Sequence, residues 1–220
     1  MDRPGGRVIV ASFAVVAFVA TGCARAIDGH AVAAGPPGEF DDSQCTKVDA
    51  PMETIPHAAG APDEAEPTLR TARPDGWKRI TELDSAMIRF AVANPALGVG
   101  DFAASAVVTM DSDPGDVAPE EIFDDAARQL VSGLGATDVE VSDGTLCGLP
   151  AHTVHYKMPR PNGESLLDAT AVVTVVPGSD KTWAVAITIQ SPRPDDPKYQ
   201  QDLHDITTGF QVLAPDSGRR

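Results

Sequence analysis

LLDATAVVTVVPGSDKTWAVAITIQ, residues 166–190, decides the fold. Leu166 to Val176 and Thr182 to Gln190 are two runs rich in β-branched residues, separated by the turn Pro177-Gly178-Ser179-Asp180. Strands joined by so short a turn run antiparallel, because a parallel return needs a crossover of about a dozen residues or more. Ala151 to Met158 joins them through Pro161-Asn162-Gly163, so the C-terminal half is an antiparallel meander. Upstream, Ile88, Phe90 and Val92 alternate within Ala86 to Val92, and Ala104, Ala106, Val108 and Met110 alternate within Phe102 to Met110. Both have the period of half-buried strands, with Asn94-Pro95 expected in the turn between them.

A helix separates the two groups of strands. Asp116 is the expected N-cap, Pro119-Glu120-Glu121 opens the first turn, and Ile122, Phe123, Ala126, Ala127, Leu130 and Val131 form one apolar stripe. Gly133 and Gly135 end it. Val139 and Val141 then suggest a short strand, and Asp143-Gly144 a tight turn. Beyond the meander, SPRPDDP (191–197) precedes a helix from Lys198 to Thr208, and Phe210-Gln211-Val212 closes the body. Before it all, Thr68-Leu69-Arg70-Thr71 is a strand candidate broken by Pro74-Asp75-Gly76. Strands, helix, meander and helix make an α+β domain, a central antiparallel sheet covered by helices, over residues 68–214 with a tail at 215–220.

Residues 1–23, MDRPGGRVIVASFAVVAFVATGC, form an export signal: Arg3 and Arg7, an uncharged run from Val8 to Thr21, then Gly22-Cys23. The run is short of the ~20 apolar residues that a transmembrane helix needs. Ala20-Thr21-Gly22-Cys23 resembles the lipobox of bacterial lipoproteins, which implies removal of residues 1–22 and diacylation of Cys23. The alternative is an ordinary secretory signal that happens to end at a cysteine. Both place the mature protein outside the cytoplasm.

Net charge is -15, from 17 Lys+Arg against 32 Asp+Glu. Loss of residues 1–22 leaves 15 against 31, a charge of -16. Phosphate backbones and anionic headgroups repel such a surface, so nucleic acid is excluded as a partner, and attachment to a membrane falls to the lipid. Two acyl chains on Cys23 are what stable anchoring requires. Residues 23–67, with GPPGEFDD at 35–42 and APDEAEP at 61–67, are too poor in apolar residues to offset the entropy of ordering and are expected to form a flexible tether. The exception is SQCTKVDAPM (43–52), which a disulfide from Cys45 to Cys147 would hold down. That bridge is the expectation for a pair of cysteines in an oxidising compartment. Its rival is Cys147 as a nucleophile with His152 or His155 as base.

Other candidate chemistry is sparse. His152 and His155, three apart on a strand, point to opposite faces and make poor joint ligands. Asp111, Asp113 and Asp116 in MDSDPGD resemble a calcium loop, but Gly115 comes one place early and Ile122 stands where the bidentate Glu belongs, so the run reads as a helix-capping loop. No G-x-S-x-G, H-E-x-x-H or P-loop pattern occurs, and neither a metal site nor a cofactor is expected. Trp183 falls in an apolar strand and reads as core; Trp77 is either core or the rim of a binding groove.

PTLRTARPDGWKRI (67–80), ASAVVTM (104–110), EEIFDDAARQL (120–130), GLPAHTVHYKM (148–158) and DLHDITTGFQV (202–212), in this order, resemble the LpqN/LpqT family of actinobacterial lipoproteins. The resemblance implies a PsbP-like α/β/α sandwich and a mycobacterial-type cell envelope, with a transporter or a secreted protein as partner. The expected function is a non-enzymatic adaptor, lipid-anchored on the extracytoplasmic face of the cell membrane. An acyl-lipid carrier and a secreted hydrolase are the alternatives.

Overall fold

The computed structural model describes residues 43–57, 66–160 and 165–215. The expected export signal, Cys23 and the expected turn at Pro161-Asn162-Gly163 lie outside them. Among the described residues, ten strands and two α-helices follow one another. They are β1 (Met52–Ile55), β2 (Thr68–Ala72), β3 (Lys78–Arg79), β4 (Ile88–Val99), β5 (Phe102–Pro114), α1 (Pro119–Leu134), β6 (Thr137–Leu146), β7 (Leu149–Pro159), β8 (Leu166–Pro177), β9 (Lys181–Ser191), α2 (Pro197–Thr208) and β10 (Gln211–Leu213). Seven strands form the main sheet, in the order β3-β4-β5-β9-β8-β7-β6, and every neighbouring pair is antiparallel. A second sheet, β1-β2-β10, is also antiparallel. The fold is therefore α+β, as expected.

β8 is buried without interruption from Ala169 to Val176 because both faces of the main sheet are covered. Ala169, Ala171, Val173 and Val175 pack with Ile122, Phe123 and Leu130 of α1. Val172 and Val176 point the other way, into a core with Ile187, Ile189, Tyr199, Ile206 and the small-sheet residues Leu69 and Val212. Ile187 and Ile189 are fully buried, and each such side chain contributes about 1.5–3 kcal/mol.

Local chemistry moves several expected boundaries. α1 starts from Ala118, held extended with ψ 136° by the following Pro119, so Asp116 is too far upstream to cap it. Gly133 lies inside the helix, and Gly135, at φ 66°, ends it. Asn94-Pro95 is not the β4–β5 turn. β4 runs on to Val99 through a register shift after Asn94, and the reversal falls at Gly100-Asp101. Proline is tolerated because β3 pairs only at Val92 and Ala93, so no ladder bond is lost beyond that point.

Asp143-Gly144 is likewise not a turn, since Asp143 pairs with His152 and Gly144 with Ala151. The turn is Cys147-Gly148, at φ 50° and 81°, with Leu146 opposite Leu149. Positive φ at both central residues is the hairpin geometry whose twist matches the strands it joins. Finally, Met52–Ile55 is not tether. It pairs with β2 in register Met52 to Ala72, so the folded body begins well before Thr68.

Candidate functional site

Alternation along β7 and β8 puts Thr153, His155 and Thr170 on the face of the main sheet that α2 covers. α2 starts where Pro197 follows Asp196, whose side chain accepts from the Lys198 N–H at 2.9 Å. The helix lays Gln200, Leu203, His204 and Thr207 along a groove of about 490 Å³ opposite those sheet residues. Leu146 and Val172 supply apolar floor, and Thr46 and Thr145 stand at the side of the hairpin. No carboxylate, ammonium or guanidinium group is among the lining side chains. On a chain of net charge -15, that makes a surface of hydroxyls, one amide and two imidazoles, without a carboxylate. The His155 Nδ1 lies 2.9 Å from the Thr170 hydroxyl, which fixes the ring, and Thr170 is itself buried.

Cys45 and Cys147 are bonded, Sγ to Sγ 2.00 Å, across 102 residues of sequence. The bond fastens the segment at 43–48 to the tip of the β6–β7 hairpin and so brings Thr46 to the groove. The Gln211 amide nitrogen reaches the Thr46 carbonyl at 3.4 Å from the other side. A bonded Cys147 has no thiolate, and the nucleophile reading falls with it.

His152 faces the opposite side. Its ring stacks on Phe123 of α1 with centroids 3.9 Å apart, and its Nε2 lies 3.1 Å from Asp143 Oδ1. The two histidines therefore share no site, as their spacing predicts. Asp111 and Asp113 end β5 near the start of α1. Partial burial, then Asp111, then Glu121 raise the Asp113 carboxyl above its ordinary value. Among the described residues no three His, Cys, Asp or Glu side chains are placed to hold a metal ion. Beneath α1 an apolar pocket lined by Met110, Ile122, Ala126 and Val173 measures about 20 Å³, room for roughly one water.

Trp77 is not the rim of a groove. It is 2% exposed, and its Nε1 donates to Asp202 Oδ2 at 2.9 Å. Lys198 closes the other carboxylate oxygen, so both polar ends are satisfied inside the core. Of the groove residues the sequence singles out His155 alone, although Thr153 and Thr170 are likewise polar interruptions on one face of otherwise apolar strands. That they meet Gln200 and His204 follows from how α2 packs, which is not local information.

No helix among the described residues is long and apolar enough to cross a membrane. None of the curated proteins matches the chain. The crystal structure of LpqN of Mycobacterium tuberculosis, involved in cell envelope biogenesis, is similar at TM-score 0.58 and 16% identity, covering 75% of this chain and 93% of that one. This likeness supports the fold. Protein PA94 of Pseudomonas aeruginosa is similar only at TM-score 0.40 and 18% identity, over 64% of this chain and 96% of that one, too loosely to bear on it. The family described as "Probable lipoprotein LpqN" matches residues 53–213, most of the chain and nearly all of the folded body. This protein belongs to the LpqN lipoprotein family.

Proposed function

We propose that this chain is a cell-envelope lipoprotein, of PsbP-like fold, that acts as a non-enzymatic adaptor. Diacylated Cys23 holds it on the extracytoplasmic face of the membrane, and the groove under α2 receives a transporter or a secreted protein. The observation that carries this reading is the carboxylate-free, hydrogen-bonding lining of a groove of about 490 Å³, within the usual ~300–1,000 Å³ range of binding pockets. Membership of the LpqN family supports the envelope address. The acyl-carrier reading gains little, because the apolar pocket beneath α1 is too small for an acyl chain.

The hydrolase reading retains one observation. Thr170 and His155 stand at a nucleophile–base distance of 2.9 Å. Against it, Thr170 is 5% exposed and buried at the bottom of the groove.

A photo-crosslinking residue at exposed Gln200, in the exported full-length protein, tests the adaptor. Adducts of discrete mass are expected from Gln200 and not from exposed Asp124 on α1. Turnover of esters, phosphoesters or glycosides that disappears in His155→Ala would replace the adaptor with the hydrolase.

A further inference from the structure

We propose that the free edge of β6 is a docking edge for an extended, Lys/Arg-rich segment of a second protein, which adds there as a further strand. The proposal rests on the adaptor reading and names the chemistry of the partner. Among the described residues β6 is the last strand of the main sheet, paired on one side with β7. Eight of its ten residues are exposed and only Val139 and Leu146 are half-buried, so among the described residues neither helix nor loop covers it. An edge of this length offers unpaired backbone groups and is a template for a further strand.

The hairpin geometry says which groups are free. Leu146 and Leu149 flank a two-residue turn and exchange both of their backbone bonds, so every second residue upstream, Gly144, Ser142 and Glu140, bonds to β7. Thr145, Asp143 and Val141 therefore turn their N–H and C=O groups outward. On the α1 face of the sheet the edge presents Val141, 49% exposed, beside Asp143, and on the groove face it presents Glu140.

Charge selects the occupant. Asp138, Glu140 and Asp143 fall within six residues of sequence, met by Lys157 at 3.0 Å from Asp138 and by His152 at 3.1 Å from Asp143. A second copy of the chain pairing edge to edge would align six carboxylates along one seam, and like charges across strands are repulsive. An incoming strand with basic residues beside Asp143 and Glu140, and an apolar one beside Val141, pairs with the same groups favourably.

The test uses the exported protein in detergent and two synthetic peptides, a Lys–Val peptide with the order Lys-Thr-Val-Lys, which in antiparallel pairing sets Lys beside Asp143 and Glu140 and Val beside Val141, and a Glu–Val peptide with Glu in place of each Lys. The Lys–Val peptide is expected to bind and to slow amide exchange at Val141, Asp143 and Thr145. Val141→Pro removes an outward N–H while keeping an apolar side chain and the net charge, and should weaken binding about ten-fold. Asp143→Lys should shift the preference toward the Glu–Val peptide without touching the backbone. Retained binding in Val141→Pro, or binding without protection of those three amides, overturns the edge in favour of diffuse charge attraction. Loss of the adaptor reading shows differently, as turnover in the groove that His155→Ala abolishes.

Discussion

Trp77 and Asp202, 125 residues apart in sequence, are joined by a 2.9 Å hydrogen bond inside the core, the indole 2% and the carboxylate 1% exposed. The bond ties the segment before β3 to the middle of α2 and therefore fixes the helix that walls the groove. A buried bond to a charged acceptor is worth about 1.5–3 kcal/mol. A double-mutant cycle of Trp77→Phe and Asp202→Ala, followed by urea unfolding, should return a coupling of that size. Simple additivity would mean the two side chains only pack.

The disulfide gives a second expectation. Cys45→Ser and Cys147→Ser remove the same crosslink, across 102 residues, and each should cost about 2–5 kcal/mol of unfolding free energy. Combining them should add nothing beyond either. Cys147 sits at φ 50° and serine keeps the β-carbon, so the turn itself does not separate the two variants. Unequal losses in denaturant titrations without reductant would show that one cysteine has a role outside the bridge.

The hairpin at 166–190 was legible because its turn is made of residues that suit turns and its strands carry runs too apolar for any exposed face. Asp143-Gly144 carries an equally strong local turn signal, yet it lies in β6. The reversal is set instead by the pairing of Leu146 with Leu149 and by a bridge to Cys45, neither of which a short window displays. Met52–Ile55 escaped for a similar reason: four residues have little pattern, and their partner β2 lies beyond residues 61–67. The opposite faces of His152 and His155 followed from strand period alone. What each face meets, Phe123 on one side and the α2 groove on the other, depends on packing of helices distant in sequence.

Asp113 predicts a pH dependence. Its carboxyl is raised by partial burial first and by Asp111 and Glu121 after that, so the folded state holds the proton more tightly than the unfolded chain does. The favourable contribution is fully present below the unfolded value and is lost as pH rises through the folded one. Asp113→Asn, neutral throughout, should match the parent in strong acid and exceed it at neutral pH. Added salt should shrink the difference, because the site is partly exposed. Thermal unfolding across pH checks this, and a variant less stable than the parent at neutral pH would reverse the sign.

Cys23→Ala is expected to leave the protein either uncleaved at its signal or released from the membrane. With residues 1–22 removed the chain would carry 15 Lys+Arg against 31 Asp+Glu and be repelled by anionic headgroups, so charge cannot substitute for the lipid. Acyl chains supply about 0.8 kcal/mol per buried CH₂, and no described helix is apolar enough to take their place. Fractionation with and without detergent, combined with mass measurement of the N-terminus, separates the two outcomes. A processed Cys23→Ala protein that still partitions with membranes would remove the lipid from the account and leave an ordinary secretory signal, with attachment made through a partner instead.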